Sequence, residues 1–432
     1  MKNVIVWFTN DLRLYDNEAL SKAIQNGDKI YPLYIFDPAQ FKETHLGFAK
    51  TGAFRAKFLI ECVENLRNNL QKIGSDLIVR TGHAADIISE LVEKSNINAV
   101  YASKDVTHEE LQRLDEVEQV LLKKLIPLEL YWQQTLFHEE DVPWPIKQVP
   151  DVFTTFRKEA EANNVEVRPL FPAPKSLSPI ENIKPGPIPT MQELGMSPEK
   201  ADRRRVLNFK GGETEAWKRL HKYFWKQDLL RYYKETRNEM IGSDYSSKLS
   251  PWLATGAISA KSIYWEIKKY EDERVKNDST YWFFFELLWR DFFKFMAKKN
   301  GSKIFHINGF QDIKLKMEDN LFNFEKWRTG NTGEPFVDAN MKELLLTGYM
   351  SNRGRQNAAS YLMYDLNVNW TWGAMWFENR LIDYDACSNW LNWAYIAGVG
   401  NDPRQGRKFI IENQSLTYDP DGKYVDLWLN DQ

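Results

Sequence analysis

The stretch VIVWF, Val4 to Phe8, predicts how the first part of this chain folds. It is a short run of β-branched and aromatic residues, which is typical of a strand. The segment Ala53 to Lys72 is long enough for a crossover helix. Together the runs and segments predict an α/β domain over residues 1–132 with a doubly wound, Rossmann-like parallel sheet. Four further runs alternate with such amphipathic segments: IYPLYIFD (30–37), DLIVRTG (76–82), NAVYAS (98–103) and LELYW (128–132).

This first domain has no standard nucleotide-binding fingerprint. The motif G-x-G-x-x-G does not follow the first strand, and G-x-x-x-x-G-K-[ST] does not occur in the sequence. Both motifs place glycines where a backbone must approach phosphates closely. The domain is therefore expected to be Rossmann-like in layout without a dinucleotide or P-loop site.

The middle and the end of the chain follow different patterns. Prolines are concentrated between Arg168 and Pro198, in the second half of a predicted interdomain linker of residues 133–201. Proline has a fixed φ and no backbone donor, so this part is expected to be extended and to lie on the surface. From Asp202 the apolar residues recur with helical spacing, as in TEAWKRLHKYFWKQDLLRYYKETRNEM (214–240). This periodicity predicts an all-α domain over residues 202–432.

The composition excludes several classes of protein. The chain has 432 residues, a net charge of -3 and two cysteines, Cys62 and Cys387, without further cysteine or histidine at metal spacing. Neither a disulfide framework nor a metal site is expected. The apolar runs are too short to span a membrane, and no signal segment precedes the first strand. We expect a cytoplasmic protein, and we expect it to be a monomer.

A local excess of basic residues lies between Lys200 and Arg237, although the chain as a whole is slightly acidic. Such a stretch can contact a phosphate backbone or form a solvated helix face. Taken alone, it favours the solvated face.

The stretch DYSSKLSPWLATGAIS (244–259) has the features of an anion site. A serine followed by proline, Ser250 and Pro251, indicates the N-cap and first residue of a helix. A helix N-terminus surrounded by hydroxyl groups and a cation suits a pyrophosphate. The alternative is an ordinary N-cap without a ligand. The polar residues in question are Ser246, Ser247, Lys248 and Ser250.

Three further stretches carry polar and aromatic residues together. In FELLWRDFF (285–293), helical spacing puts Glu286, Trp289 and Arg290 on one face, where they could receive a heterocycle or form an internal ion pair. Arg355, paired with Asp383, would make a polar ring suited to the edge of a flavin. Taken singly, each of these charges is a surface charge by default, and it is their occurrence together that favours the polar ring. The other two stretches are SNRGRQNAASYLMYDL (351–366), with Asn352 and Gln356, and IDYDACSN (382–389), with Asp385 and Asn389.

Taken in order along the chain, these motifs resemble the photolyase/cryptochrome family. The opening VIVWFTNDLRLYDNEAL (4–20) is similar to the family's first strand and turn. The stretches QTLFHEEDVPWP (134–145) and VFTTFRKEAE (152–161), and the NRGRQN form of the later motif, resemble the DASH cryptochrome branch. The resemblance extends over essentially the whole chain.

The resemblance implies an FAD bound in a folded conformation inside the helical domain. Asn389 would face the flavin N5 with a neutral amide, which suits a reduced anionic flavin. One set of residues would hold the phosphates and the ribityl chain: Tyr233, Ser246, Ser247, Lys248, Leu249 and Ser250. A second set would surround the rest of the cofactor: Arg290, Asn352, Arg355, Asp383 and Asp385.

The resemblance also implies an activity, that of a deoxyribodipyrimidine photo-lyase. Blue light would excite the reduced flavin, an electron would pass to a cyclobutane pyrimidine dimer, and the electron would return after the ring splits. Single-stranded DNA is the expected partner, with RNA as a further nucleic acid. The alternative is a blue-light photoreceptor that binds FAD and nucleic acid without repair. Glu286 would bond the lesion, and its pocket would be lined by Trp289, Tyr395 and Gln356.

Two further features follow from the resemblance. A tryptophan relay for photoreduction would use Trp393 next to the flavin and Trp370 in the middle, but its outer position falls on Met317. Methionine carries an electron hole poorly, so either a different nearby aromatic residue ends the relay or photoreduction is slow, and we hypothesise the former. An antenna chromophore, 5,10-methenyltetrahydrofolate, is expected between the domains, with Glu109 or Glu110 as its contact.

Overall fold

The N-terminal part folds as a five-stranded parallel sheet in the order β3-β2-β1-β4-β5, which confirms the predicted α/β domain. The computed structural model describes residues 2–402 and 406–430. Its strands are β1 (Asn3–Phe8), β2 (Lys29–Phe36), β3 (Ile78–Thr81), β4 (Ile97–Ser103) and β5 (Leu128–Tyr131). The helices between them are α1 (Glu18–Asn26), α2 (Ala53–Lys72), α3 (Ala84–Ser95) and α4 (His108–Leu122).

Both faces of this sheet are covered, as its apolar strands require. Alternate residues of β1 point to opposite faces, so Val4 packs in the core that includes α1 and α2, while Ile5 packs with α3 and α4. The sheet is therefore doubly wound, with its strand order reversing at β1.

The C-terminal part is helical, as its periodicity predicts, and the described residues after β5 contain no further strand. None of the described helices combines the length and the apolar content needed to cross a membrane. The helices are α6 (Glu213–His221), α7 (Tyr233–Thr236), α8 (Ser250–Ala254), α9 (Ala260–Glu273), α10 (Asp278–Asn300), α11 (Leu321–Arg328), α12 (Pro335–Thr347), α13 (Asn352–Tyr364), α14 (Trp370–Arg380), α15 (Ala386–Ala397), α16 (Ile411–Tyr418) and α17 (Lys423–Leu429).

The segment between the two parts contains a 3-10 turn (Ile146–Gln148) and then one α-helix, α5 (Phe153–Ala162), after which it continues without helix or strand as far as α6. The Phe153 ring of α5 stacks on Trp289 of α10, with the centroids 3.8 Å apart. The linker thus contributes to the core of the helical domain before it becomes extended.

The loop after β1 connects the α/β domain, the linker and the helical domain through hydrogen bonds and an ion pair. The buried Arg13 donates hydrogen bonds to the carbonyl oxygens of Asp16 (3.0 Å), Gly256 (2.9 Å) and Gln133 (3.2 Å). The Asp16 carboxylate pairs with Lys261 of α9 at 2.8 Å. Since each buried charge is paired or hydrogen-bonded, the domains are held in one relative position by polar contacts.

Asp291 attaches the linker to α10. Its fully buried carboxylate accepts hydrogen bonds from the backbone N–H groups of Leu136 and Phe137, each at 2.8 Å. Burial raises the pKa of this carboxyl to about 7, against the effect of the two N–H groups. Helix α10 is capped at its N-terminus by Asn277, whose side chain accepts from the Ser279 and Thr280 N–H groups.

We predict that Asp291→Ala lowers the free energy of unfolding by about 3 kcal/mol, because two buried N–H groups lose a charged acceptor. Asp291→Asn keeps one carbonyl oxygen as acceptor and should cost less. Denaturation in urea measures both variants. The control is Asp115→Ala, an exposed position inside α4, which should change stability by less than about 0.5 kcal/mol. Equal stability of Asp291→Ala and the control would contradict the anchoring role.

Candidate active site

A cavity of about 410 Å³ lies between α10, α13 and α15 of the helical domain. It brings together residues that are more than a hundred positions apart in the sequence. Its lining includes eleven residues predicted from the sequence: Glu286, Trp289, Arg290, Asn352, Arg355, Gln356, Asp383, Asp385, Asn389, Trp393 and Tyr395.

A hydrogen-bonded polar group forms one wall. The Arg355 guanidinium donates through Nη2 to both carboxylate oxygens of Asp383, at 3.0 and 2.8 Å. Burial alone would lower the pKa of Arg355, but the Asp383 carboxylate outweighs it and raises that pKa. The Ser250 hydroxyl also donates to Asp383, at 2.6 Å. The predicted pairing of Arg355 with Asp383 is present, and it holds the serine segment against the cavity.

The predicted N-cap role of Ser250 is wrong. Helix α8 begins at Ser250 itself, Leu249 occupies the N-cap position, and no side chain caps the helix. The Ser250 hydroxyl is instead used by Asp383, a charged acceptor that the sequence pattern did not reveal. Charge-assisted hydrogen bonds of this kind are stronger than a neutral cap, which explains the choice.

The segment before Ser250 contains a buried cation without an anion. Lys248 lies 3.5 Å from the Ser246 hydroxyl and 3.0 Å from the ring centroid of Tyr245, and no carboxylate of the described residues lies within 4 Å. Burial holds its pKa well below the usual value. Its φ of +54° is also unusual for a residue with a side chain. A buried, unpaired ammonium fits a diphosphate such as that of FAD.

Arg219 holds this segment in place, although it was not among the site residues predicted from the sequence. Its buried guanidinium donates to the carbonyl oxygens of Ser243, Ser246 and Ser247, at 2.8 to 3.0 Å. It also pairs with Asp244 at 3.0 Å. Arg219 belongs to the basic stretch Lys200–Arg237, where helical spacing alone could not separate a buried arginine from solvated ones.

The orientation of Asn389 is determined by its partner. Its Nδ2 donates to the carbonyl oxygen of Ala374 at 3.0 Å, which leaves the Oδ1 oxygen as the group available to a ligand. An amide oxygen accepts a hydrogen bond, so this side chain suits an N–H group such as N5 of a reduced flavin.

Asp385 combines a structural and an electrostatic role. It caps α15 by accepting from the N–H (2.8 Å) and hydroxyl (2.7 Å) of Ser388. Burial alone would raise the pKa of Asp385, but Lys294 and Arg290 outweigh it and keep that pKa below its usual value. The group therefore stays ionised beside the cavity.

The other wall is aromatic. The rings of Trp289 and Tyr395 are 6.0 Å apart in an edge-to-face arrangement. Phe153 covers one face of Trp289, and Arg407 lies over Tyr395, 4.4 Å from its centroid. Glu286 is half-buried and forms an ion pair with Arg237. Burial raises the pKa of Glu286, and the arginine opposes this shift.

Three arginines at this end of the cavity were not among the predicted site residues: Arg237, Arg353 and Arg407. Arg353 donates to the Gln356 Oε1 at 2.9 Å, and Arg407 donates to the Tyr395 hydroxyl. Arg353 stands inside the NRGRQN stretch and Arg237 ends the basic stretch, so both carried a signal. Which basic residues reach the cavity depends on helix packing.

Some predicted residues lie outside the cavity lining. Tyr233 packs on Phe283 of α10, with the ring centroids 4.7 Å apart. Trp370 is fully buried and donates through Nε1 to the Ile307 carbonyl oxygen at 2.9 Å. The remaining ones are five consecutive residues, of which the last bonds Asp383 of the lining: Ser246, Ser247, Lys248, Leu249 and Ser250.

The tryptophans predicted as a relay have additional indole neighbours. Trp393, which lines the cavity, lies 6.0 Å from Trp327 between ring centroids. Trp370 lies 5.9 Å from Trp390. Met317 packs against the apolar cluster that contains Trp370. The hypothesis that another aromatic residue replaces Met317 remains a prediction, with Trp327 and Trp390 as nearby indoles.

The two glutamates predicted for an antenna differ in their surroundings. Glu109 is exposed and pairs with Lys50. Glu110 is half-buried and accepts a hydrogen bond from the Thr107 hydroxyl. Burial, together with the neighbouring Asp105, raises the pKa of Glu110.

Comparisons with known proteins agree along the chain. A sequence model described as "DNA photolyase" matches residues 4–175, and one described as "FAD binding domain of DNA photolyase" matches residues 282–431. A Gloeobacter violaceus protein named "Cryptochrome DASH" is 49% identical over 428 residues, which are 99% of this chain and 85% of that protein. A Synechocystis cryptochrome structure has a TM-score of 0.96 and 49% identity, with 99% of this chain and 89% of that chain covered. An archaeal photolyase from Sulfolobus tokodaii "with two FAD molecules" has a TM-score of 0.80 and 28% identity, with coverages of 99% and 90%.

We predict that Lys248→Met raises the thermal midpoint of the protein without FAD and weakens FAD binding about tenfold or more. The folded-state pKa of Lys248 lies below its unfolded value, so the buried ammonium destabilises the fold and its removal stabilises it. Thermal melts and FAD titration of the flavin-free protein measure the two effects.

The matched control for this variant is Lys261→Met, which removes a buried lysine that is paired with Asp16. Its loss leaves a buried carboxylate unpaired, so the thermal midpoint should fall while FAD affinity is retained. Unchanged FAD affinity in Lys248→Met would contradict the phosphate role.

We predict that Trp370→Phe removes most of the light-driven flavin reduction, while Trp327→Phe leaves most of it. The two indoles are matched, since both are fully buried and both donate to a backbone carbonyl oxygen at 2.9 Å. Transient absorption of the flavin-loaded protein measures the yield. The reverse result would direct the relay through Trp327.

Proposed function

This chain belongs to the DASH branch of the photolyase/cryptochrome family, and on that premise we propose that it is a light-driven photolyase. Its substrate would be the cyclobutane pyrimidine dimer in single-stranded DNA. The helical part carries the family's FAD-binding domain. A folate antenna between the domains, near Glu110, is part of the proposal.

The observation that carries this proposal is the joint lining of one cavity by a polar wall and an aromatic wall. The polar wall contains Asn389, Arg355 and Asp383, which suit the flavin. The aromatic wall contains Trp289 and Tyr395, which suit the faces of two pyrimidines. Electron donor and lesion would therefore share one cavity.

The reaction requires little acid-base chemistry from the protein. When bound and reduced, FAD would supply the photoexcited electron that opens the cyclobutane ring and would take it back after the ring has split. Arg237 holds one carboxylate oxygen of Glu286, which leaves Oε2 to accept from the N–H of a pyrimidine. Asn389 and Arg355 would orient the flavin edge, and Trp289 and Tyr395 of the aromatic wall would hold the lesion by stacking.

The charge around the cavity supports a nucleic-acid substrate. The chain has a net charge of -3, yet Arg237, Arg353 and Arg407 are gathered at the cavity. Phosphates flanking a lesion would be attracted there and not to the protein as a whole. A dimer must leave its stack to enter, and this costs least in a single strand.

The proposal is tested by illuminating the reduced protein with dimer-containing oligonucleotides, single-stranded and double-stranded. We expect loss of dimers, faster in the single strand. Loss in neither substrate would reject repair and leave a photoreceptor. Equal repair of both would reject the single-strand preference.

We predict that Glu286→Ala lowers the affinity for a dimer-containing strand about tenfold, because a buried hydrogen bond to the lesion is lost. Glu286→Gln keeps a polar group of the same shape and should lose less. Glu215→Ala, an acid of α6 outside the cavity lining, is the control. Equilibrium binding of a labelled strand measures all three. Wild-type affinity in Glu286→Ala would remove this residue from lesion binding.

A further inference from the structure

An aromatic surface continues from the cavity along α10. Helical spacing puts Trp282 on the same face as Phe285, Glu286 and Trp289, one turn closer to the start of the helix. The last three residues line the cavity, whereas Trp282 lies beyond it. The Trp282 and Phe285 rings are stacked, with centroids 4.9 Å apart and planes at 25°. This stacked pair of rings therefore extends the aromatic wall from the cavity to a partly exposed surface.

Two cations lie next to this pair of rings. The Lys234 Nζ and the Arg237 Cζ lie over the Trp282 ring, 5.3 and 5.2 Å from its centroid. Lys234 is otherwise paired with Asp278, whose side chain is 81% exposed. An exposed ion pair contributes little, so a phosphate can replace Asp278 at small cost. An aromatic platform beside cations, one of them exchangeable, is the arrangement that binds single-stranded nucleic acid.

We propose that Trp282, with Lys234 and Arg237, forms a subsite for one nucleotide that flanks the lesion in a single DNA strand. The flanking base takes the place of Lys234 over the indole, beside Arg237, which keeps its pair with Glu286, and Lys234 then pairs with the adjoining phosphate. The inference rests on the proposed function, because the lesion bound in the cavity places the neighbouring nucleotide at Trp282.

The subsite also gives a physical reason for a single-strand preference. In a duplex the base next to the lesion is paired and stacked, and both interactions must be broken before it can reach Trp282. In a single strand the base rotates freely onto a protein ring. The binding energy of this step is therefore available only to single-stranded substrate.

The test compares two probes, a labelled thymidine octamer with a central dimer and a dinucleotide dimer without flanks. Fluorescence anisotropy measures the affinity for the labelled octamer, and competition against the octamer measures the affinity for the dinucleotide. Trp282→Ala should weaken binding of the octamer about tenfold, because the stacking of one base is lost. The affinity for the dinucleotide should be unchanged. Trp282→Phe should retain most of the affinity. Equal losses for both probes, or none, overturn the subsite.

Trp265→Ala serves as the matched control. Trp265 is also partly exposed (39%) and lies on α9, where its Nε1 donates to the Arg168 carbonyl oxygen at 3.2 Å. This variant should bind both probes as the wild type does. Thermal midpoints and flavin content of the variants show whether Trp282→Ala is folded, and Trp282→Phe replaces it if it is not.

Failure of the subsite is distinguishable from failure of the proposed function. Splitting of the dinucleotide dimer by illuminated Trp282→Ala protein, at the wild-type rate, supports repair independently of the flanking site. If the wild type splits no dimers but Trp282→Ala still weakens the octamer alone, repair is rejected and the strand site stands. If the wild type binds the octamer no better than the dinucleotide, the subsite is rejected.

Discussion

The buried carboxylate of Asp291 is the contact on which the arrangement of the site depends. It binds two backbone N–H groups of the linker and so determines which face of α10 points toward the linker. Because successive helical residues are rotated by about 100°, this one contact also directs Glu286 and Trp289 toward the cavity. The linker helix α5 then supplies Phe153, which stacks on Trp289 and completes the wall.

The polar side of the cavity is organised before any ligand binds. Arg355, Asp383 and Ser250 satisfy one another, and Asp385 is held by Ser388 and by Lys294. Such preorganised groups need not rearrange when a cofactor enters. Lys248 is the exception, since the described residues place beside its buried ammonium the Ser246 hydroxyl and the rings of Tyr245 and Tyr349, but no paired carboxylate. An anionic ligand would supply the missing partner, so fold and cofactor are coupled at this residue.

The aromatic residues of the helical domain have several different surroundings. Trp289, Trp393 and Tyr395 line the cavity, whereas Trp327 and Trp370 are fully buried core residues with satisfied indole N–H groups. In the motif that contains Trp390 and Trp393, one indole packs against Trp370 and the other reaches the cavity. All of these residues are aromatic, so residue type does not distinguish them. Their positions on the helices alone decide which side chains line the cavity and which pack in the core.

The strands of the first domain and the change to a helical domain could be predicted from the sequence alone. Alternating apolar runs and crossover segments predict the parallel sheet, since side-chain periodicity reflects backbone geometry directly. The motifs also predicted eleven of the residues that line the cavity. They did not predict that Ser250 would bond Asp383 in place of capping its helix, or that Arg219 would be buried while Arg237 reaches the cavity. Those outcomes depend on contacts between residues distant in sequence, and helix rotation and packing decide them only in the folded chain.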